Sequence, residues 1–218
     1  MTSTSASMRL GIMGGMFDPV HTGHLRVAQT AQLKLNLDQV RLIPCSIPGH
    51  RANAQTSAEH RLAMLEAAIA DYPGFVVDTR ELQRPGTSYM VDTLGSLRAE
   101  FPQATMVYIM GMDSFLSLPS WHRWRDILDL THLCVVSRDE LSQANAEPAL
   151  QTELAARLVS RQEELFDTLA GRILVLTGIN LPQSSTRVRR DARQTGTIAI
   201  DDVPTVVADY IKTHKLYR

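Results

Sequence analysis

The chain has only two cysteines, Cys45 and Cys134. That is too few for a disulfide framework or a thiolate metal site, and both sit at or near apolar strand-like runs, as buried free thiols do. No apolar run approaches the length of a membrane span. The polar stretch Met1 to Ser7 lacks the apolar centre of a signal peptide, so a cytoplasmic protein is the expectation. An excess of one charge is missing too: 22 Lys and Arg stand against 23 Asp and Glu, a formal net charge of −1. This gives no sign of the broad basic surface of a nucleic-acid or membrane binder, but it allows a local basic pocket for a phosphorylated small molecule. Neither a Walker Gly-Lys-Ser/Thr nor a dinucleotide Gly-x-Gly-x-x-Gly loop is present, and there is no internal repeat.

What is present is a 218-residue chain with 44% hydrophobic residues, enough for one sizeable core. Strand candidates are Arg9–Met13, Val40–Cys45, Phe75–Asp78, Thr105–Met110, Leu133–Val136 and Arg172–Leu176. Several are near-continuous apolar runs, the pattern of parallel strands covered on both faces. Helix candidates are His24–Leu35, Ala58–Ala70, Tyr89–Glu100, Trp121–Leu128, Ala149–Ala170, Ser185–Asp191 and Val203–Thr213. Breakers such as Pro73-Gly74, Pro85-Gly86, Pro102 and Pro119 fall between them. The succession predicts an α/β domain, a Rossmann-like doubly wound parallel sheet with helices on both faces, over residues 9–218. Residues 1–8 read as a disordered N-terminal extension, Asp139–Pro148 as a mobile polar loop, and Ala149–Ala170 as an extra amphipathic helix or helix pair. Lys212, His214 and Lys215 suit the end of the last helix and need no functional explanation.

The most informative run is Gly14-Gly15-Met16-Phe17-Asp18-Pro19-Val20-His21-Thr22-Gly23-His24, between an apolar strand and a helix. Gly14 and Gly15 remove side chains where a phosphate meets backbone N–H groups, and Gly23 keeps the helix opening narrow. His21 and His24, three apart, can share one face, where an imidazolium can donate to a phosphoryl oxygen as charge builds during transfer. Asp18 can orient the turn or help position a cation. A tight turn capped by two histidines is the structural alternative. A zinc site would need a third ligand, which this segment lacks.

A second segment, Gln183-Ser184-Ser185-Thr186-Arg187-Val188-Arg189-Arg190, places capping hydroxyls and a guanidinium at another helix start. Alone it is equally an ordinary capped, basic surface helix. Together the two segments resemble the signatures of the nucleotidyltransferase superfamily, Gly-x-Phe-Asp-Pro-x-His-x-Gly-His and Ile-Ser-Ser-Thr-x-Ile-Arg. The resemblance implies that His21 and His24 bind the reacting phosphates. Gly14, Gly15, Met16 and Phe17 would then form the loop under the triphosphate, Met16 standing where many members have Thr. Ser184, Ser185, Thr186 and Arg189 match the second signature, with Arg189 the triphosphate contact and Arg187 and Arg190 simple solvated charge.

Three middle segments bear on the acceptor: Pro48-Gly49-His50-Arg51, Ser88-Tyr89-Met90, and Gly111-Met112-Asp113 followed by Trp121. These resemble the bacterial nicotinate-nucleotide adenylyltransferases, and the likeness runs from about Arg9 to Arg218. It implies acceptor contacts from His50, Arg51, Ser88, Tyr89, Met90, Trp121 and Arg138, with Gly111 and Asp113 on the nucleotide side and Trp121 stacking on the pyridine. The family has Pro-Pro-His-Lys where this chain has Pro48-Gly49-His50-Arg51. It also has Thr at Met90, and that Thr helps to recognise the nicotinate carboxylate; backbone donors at a helix start can receive a carboxylate instead. Each residue has a plainer role as well. Trp121 and Trp124 can be core or interface anchors, Asp113 a helix cap, and Arg51 and Arg138 exposed salt partners. His60, His122 and His132 read as structural or surface groups.

The implied reaction is adenylyl transfer from ATP to nicotinate mononucleotide, with pyrophosphate leaving. Mg²⁺ would ride on the ATP phosphates, with no dedicated protein ligands. The implied partners are small nucleotides, not nucleic acid or membrane, and homo-oligomer formation is left open. The alternatives are transfer to another acceptor such as nicotinamide mononucleotide, a cytidylyltransferase, or a nucleotide-binding protein without turnover.

Overall fold

A computed structural model describes residues 7–49, 54–137, 146–179, 182–195, 198–199 and 201–218. Its strands are β1 (Arg9–Gly15), β2 (Gln39–Pro44), β3 (Phe75–Val77), β4 (Thr105–Gly111), β5 (His132–Val136), β6 (Leu158–Val159) and β7 (Ile173–Leu176). They form one sheet in the order β3-β2-β1-β4-β5-β7-β6, with every neighbouring pair parallel. The helices are α1 (Thr22–Leu35), α2 (Ala58–Ile69), α3 (Arg80–Gln83), α4 (Met90–Glu100), α5 (Met112–Leu116), α6 (Trp124–Leu130), α7 (Pro148–Arg157), α8 (Ser185–Thr195) and α9 (Thr205–Thr213).

The apolar strand runs are buried on both sides, as their composition predicts. On β4, Val107 and Ile109 face a core shared with α1, α2, α8 and α9, through residues such as Ala28, Leu65, Val188 and Ile211. Met106, Tyr108 and Met110, alternating with them, face the opposite core, which includes Leu94 of α4, Ile127 of α6 and Leu150 of α7. This is the doubly wound sheet expected from the sequence. The chain leaves β1 toward β2 on one side and returns to β4 on the other. The strand order therefore reverses between β1 and β4, and a crevice opens beyond their carboxyl ends.

Three expectations change. Ala149–Ala170 is neither one helix nor a pair of α-helices. After α7 the chain extends, Leu158 pairs with Ile173 and Val159 with Leu174, and a 3-10 turn follows over Gln162–Asp167. The outer edge of β7 offers ladder hydrogen bonds that outweigh the helical pattern here. Trp121–Leu128 also divides: Leu118–Ser120 is a 3-10 turn, Trp121 is extended, Arg123 is left-handed at φ 49°, and α6 begins only at Trp124. The two indoles thus part company, Trp124 entering the core while Trp121 stays half-buried. Of the two free thiols, Cys134 is buried as expected, but Cys45 is only half-buried at the end of β2. Residues 138–145, which hold most of the predicted mobile loop, and residues 1–6 lie outside the described residues. The chain joins the sheet through Met8, whose carbonyl accepts from Thr105 N at 2.9 Å. Among the described residues, no helix is long and apolar enough to cross a membrane.

His132 is structural, as expected. It is fully buried, its Nδ1 accepts from Arg172 N at 3.0 Å, and its Nε2 lies 3.0 Å from the Thr168 carbonyl. Those partners require the neutral ring with the proton on Nε2. Burial pulls its pKa down to about 4, the Thr168 bond opposing. The unfolded chain takes up this proton as pH falls below about 6.5, whereas the folded chain resists until about 4. Stability is therefore complete above pH 6.5 and is lost through that window, by up to roughly 1.4 kcal/mol per pH unit from this one group. Thermal melts between pH 7.5 and 4.5 should show this decline, and His132→Asn should be less stable at pH 7.5 with a shallower acid slope. An unchanged slope would remove His132 from the acid response.

Candidate active site

The carboxyl end of β1 and the start of α1 form the floor of a cavity of about 780 Å³. The bare Gly14 lets the end of the Met90 side chain close over the strand end, since a Cβ there would come within 2.4 Å of Met90 Cε and push it aside. Gly23 must lack a side chain because a Cβ would lie 2.9 Å from His21 Nδ1, so the imidazole folds directly over the helix opening. Phe17, at φ 47°, is buried beneath and meets His24 edge-on at 5.0 Å.

His21 and His24 cap one another. His21 Nδ1 accepts from His24 N at 3.3 Å, His24 Nδ1 accepts from His21 N at 3.2 Å, and the rings stack with centroids 3.6 Å apart. This is a capping box built from two imidazoles. With both Nδ1 atoms accepting, the proton of each neutral ring sits on Nε2, and both rings line the cavity. Burial pulls the His21 pKa down to about 4, partly offset by Asp202. The imidazolium expected at His21 is therefore corrected to a neutral Nε2–H donor, because desolvation outweighs the nearby carboxylate.

Asp18 settles as an organiser of the turn. It is 3% exposed; Oδ2 accepts from Gln55 N at 2.7 Å, and Oδ1 accepts from Thr56 Oγ1 and Tyr217 OH, both at 2.7 Å. Arg61, buried at 2% exposure, donates from Nη1 to the Met16 carbonyl at 2.8 Å and braces the loop from below. The sequence reading missed Arg61 and Tyr217. An arginine amid the apolar periodicity of α2 was the available signal for the first; nothing local marks the second.

At α8, Ser184 Oγ accepts from Arg187 N at 3.2 Å and caps the helix, while Ser185 Oγ donates to the Pro19 carbonyl at 2.9 Å. Arg189 donates from Nη1 to the Asp18 carbonyl at 2.6 Å and reaches Thr186 Oγ1 at 3.4 Å. The two signature segments, far apart in sequence, thus meet, and Ser185, Thr186 and Arg189 line the same cavity as the histidines. Arg187 is not solvated charge. It pairs with Asp202, a buried carboxylate whose backbone carbonyl accepts from Thr22 N at 2.9 Å. Arg190 pairs with its neighbour Asp191 at the surface, as expected.

The middle segments reach the cavity in part. Ser88, Tyr89, Met90, Gly111, Asp113 and Trp121 line it. Met90 is the first residue of α4, so its backbone lies at that helix's N-terminus. Asp113 does not cap α5; that place is taken by Gly111, and no side-chain cap bond forms. Trp121 faces Tyr108 edge-on at 6.3 Å, and Tyr89 lies 4.3 Å from His122, which is exposed and also lines the cavity. His50, Arg51 and Arg138 fall outside the described residues. Among the described residues, no group of three or more His, Cys, Asp or Glu side chains is placed to hold a metal ion.

Comparison with known proteins agrees with this geometry. Residues 12–191 match the cytidylyltransferase-like family model. The chain is 46% identical over 210 residues to a protein of Aeromonas hydrophila named probable nicotinate-nucleotide adenylyltransferase, covering 96% of this chain and 97% of that one. It is 42% identical over 221 residues to one of the same name in Pseudomonas entomophila, covering 100% and 99%. In fold it is similar to the nicotinic acid mononucleotide adenylyltransferase of Plasmodium falciparum, solved with NaAD and with APC. Each of these matches has a TM-score of 0.69 at 16% identity, over 96% of this chain and 97% of that one. With both phosphate signatures meeting at one crevice, and with relatives this similar over almost the whole chain, the chain belongs to the nicotinate-nucleotide adenylyltransferase family of cytidylyltransferase-like enzymes.

Proposed function

We propose that this enzyme transfers the adenylyl group of ATP to the phosphate of nicotinate mononucleotide, releasing pyrophosphate and forming nicotinate adenine dinucleotide. One observation carries the reading. A single cavity, at the reversal between β1 and β4, gathers the starts of α1 and α8 with His21, His24 and Arg189, and also the aromatic groups Tyr89, Tyr108 and Trp121. Its volume of about 780 Å³ falls within the ~300–1,000 Å³ common for small-molecule sites.

The acceptor phosphate is largely ionised near neutral pH, its second pKa lying near ~6. One of its oxygens attacks the α-phosphorus of ATP, and the bond from that phosphorus to the bridging oxygen of the β-phosphate breaks, the electron pair leaving with pyrophosphate. No side-chain nucleophile or general base is needed, so the enzyme's work is alignment and charge stabilisation. The Nε2–H groups of His21 and His24 donate to phosphoryl oxygens, and Arg189 balances the charge moving onto pyrophosphate. Gly14, Gly15, Met16 and Phe17 shape the floor, and Ser184, Ser185 and Thr186 form the α8 edge, with Gly111 and Asp113 opposite. On the acceptor side, Trp121 and Tyr89 supply ring faces, and the backbone donors opening α4 at Met90 receive the carboxylate in place of a Thr hydroxyl. His50, Arg51 and Arg138 complete that side in this reading.

The carboxylates of the cavity fit an ion carried on the triphosphate better than one caged by protein. Asp18 spends both oxygens on Gln55, Thr56 and Tyr217, and Glu81 is buried, while Asp113 is exposed at the cavity wall. When bound, Mg²⁺ supplies further neutralisation of triphosphate charge.

Pyrophosphate release with MgATP, measured with nicotinate mononucleotide and with nicotinamide mononucleotide, tests the reading. Strong preference for the acid is expected; preference for the amide would reassign the acceptor, and no release with either would refute transfer to a pyridine mononucleotide. His24→Asn keeps an acceptor for His21 N but removes the Nε2–H donor. It should lower kcat by about 10²–10³ while changing ATP affinity much less. A loss of ATP affinity as large as the loss of kcat would contradict a role in the transition state.

A further inference from the structure

Glu81 is a carboxylic acid that the transfer reaction leaves unused. It lies in α3, is only 2% exposed, and yet contributes to the cavity wall. Burial holds its carboxyl above the usual carboxylate range. Removing a charged or polar group this completely from water is costly unless its partners are in place.

Those partners come from both segments that approach the acceptor. Thr93 Oγ1, on the buried side of α4, donates to Glu81 Oε1 at 2.7 Å and itself accepts from Arg84 Nη2 at 3.0 Å. The Ser88 hydroxyl and the Cys45 thiol are its other polar neighbours, favouring the ionised form against that burial. Cys45 ends β2, where its N–H donates to the Gly15 carbonyl at 2.9 Å, and opens the loop toward Pro48. Ser88 leads into α4 through Tyr89. The two loops are stitched directly as well, since Ser88 N donates to the Ile47 carbonyl at 2.8 Å and Pro48 bridges to Ser88. One buried carboxyl thus sits where the end of β2, the loop after it and the entry to α4 meet, bonded to α4 through Thr93.

We propose that Glu81 is a positioning residue for the acceptor mononucleotide, holding the Cys45–Gly49 and Ser88–Met90 segments at the spacing that seats the pyridine ring. It acts through its bond from Thr93 and its polar contact with Ser88 and Cys45, not through the reacting phosphates or the histidines. The inference rests on the adenylyltransferase reading of the cavity.

The test measures KM for nicotinate mononucleotide and KM for ATP separately, together with Tm, in the full chain. Glu81→Leu should raise the acceptor KM about tenfold or more and leave the ATP KM within about twofold. Glu81→Gln, which keeps the shape and hydrogen-bonding capacity, should restore most of the acceptor KM. Should Glu81→Leu fail to fold, Thr93→Val decides. It deletes one bond to Glu81 from outside the cavity, and it should raise the acceptor KM several-fold with the ATP KM unchanged. An unchanged acceptor KM, or parallel rises in both KM values, would overturn the proposal, as would a fall in Tm with neither KM moved. If the unaltered enzyme releases no pyrophosphate with the acid, the functional reading fails and the proposal with it. If it turns over normally and the variants keep the acceptor KM, the proposal alone fails.

Discussion

The first N–H groups of α1 have no partners within the helix, and two imidazoles supply what the geometry needs. Each of His21 and His24 accepts the other's backbone N–H, at 3.3 and 3.2 Å. The same two rings serve the helix and the proposed transfer: Nδ1 closes the helix, and Nε2 is left as the proton-bearing edge. The close stack of the rings, 3.6 Å between centroids, is comfortable for neutral rings and would be repulsive for two cations. The rings are therefore a pair of fixed neutral donors, which in the proposed transfer need no reorganisation as charge develops on a phosphoryl group.

Distant parts of the chain keep that pair in place. Asp18 ties the turn before α1 to Gln55 and Thr56 ahead of α2 and to Tyr217 near the C-terminus. Its carbonyl takes the Arg189 guanidinium, while Arg187 closes on Asp202, whose backbone receives Thr22 at the start of α1. Arg61 supports Met16 from within the core. The starts of α1 and α8 are thus locked to each other through the backbone carbonyls of Asp18 and Asp202 and the Asp202 carboxylate. Asp202 is the buried member of its pair and Arg187 the partly exposed one, and together these contacts fix the histidine end of the cavity.

Local signals were legible in the sequence, and long-range ones were not. The Gly14 to His24 run announced a strand, a turn and a helix start, and Ser184 to Arg189 announced a capped basic helix; both elements form and converge on one cavity. The doubly wound sheet was legible because its central strands are apolar on both faces. Hidden were the features set by tertiary surroundings. His21 is neutral because of burial, which periodicity does not report. Arg187 looks like surface charge until Asp202, fifteen positions on, folds under it. Leu158 and Val159 fit a helical pattern, but the open edge of β7 claims them. Tyr217 reaches Asp18 across 199 positions and leaves no mark on its neighbours. The acceptor side was readable chiefly through resemblance, because Ser88, Tyr89 and Trp121 have ordinary structural uses elsewhere.

The most direct measurement is the side-chain ¹⁵N spectrum of His21 and His24 in labelled protein, followed from pH 7.5 to 5. Mutual capping predicts an unprotonated Nδ1 and a protonated Nε2 on both rings at pH 7.5. It also predicts that His21 remains neutral down to about pH 5, in keeping with a pKa near 4. An imidazolium at His21 near pH 7, or an Nδ1–H tautomer on either ring, would contradict the account.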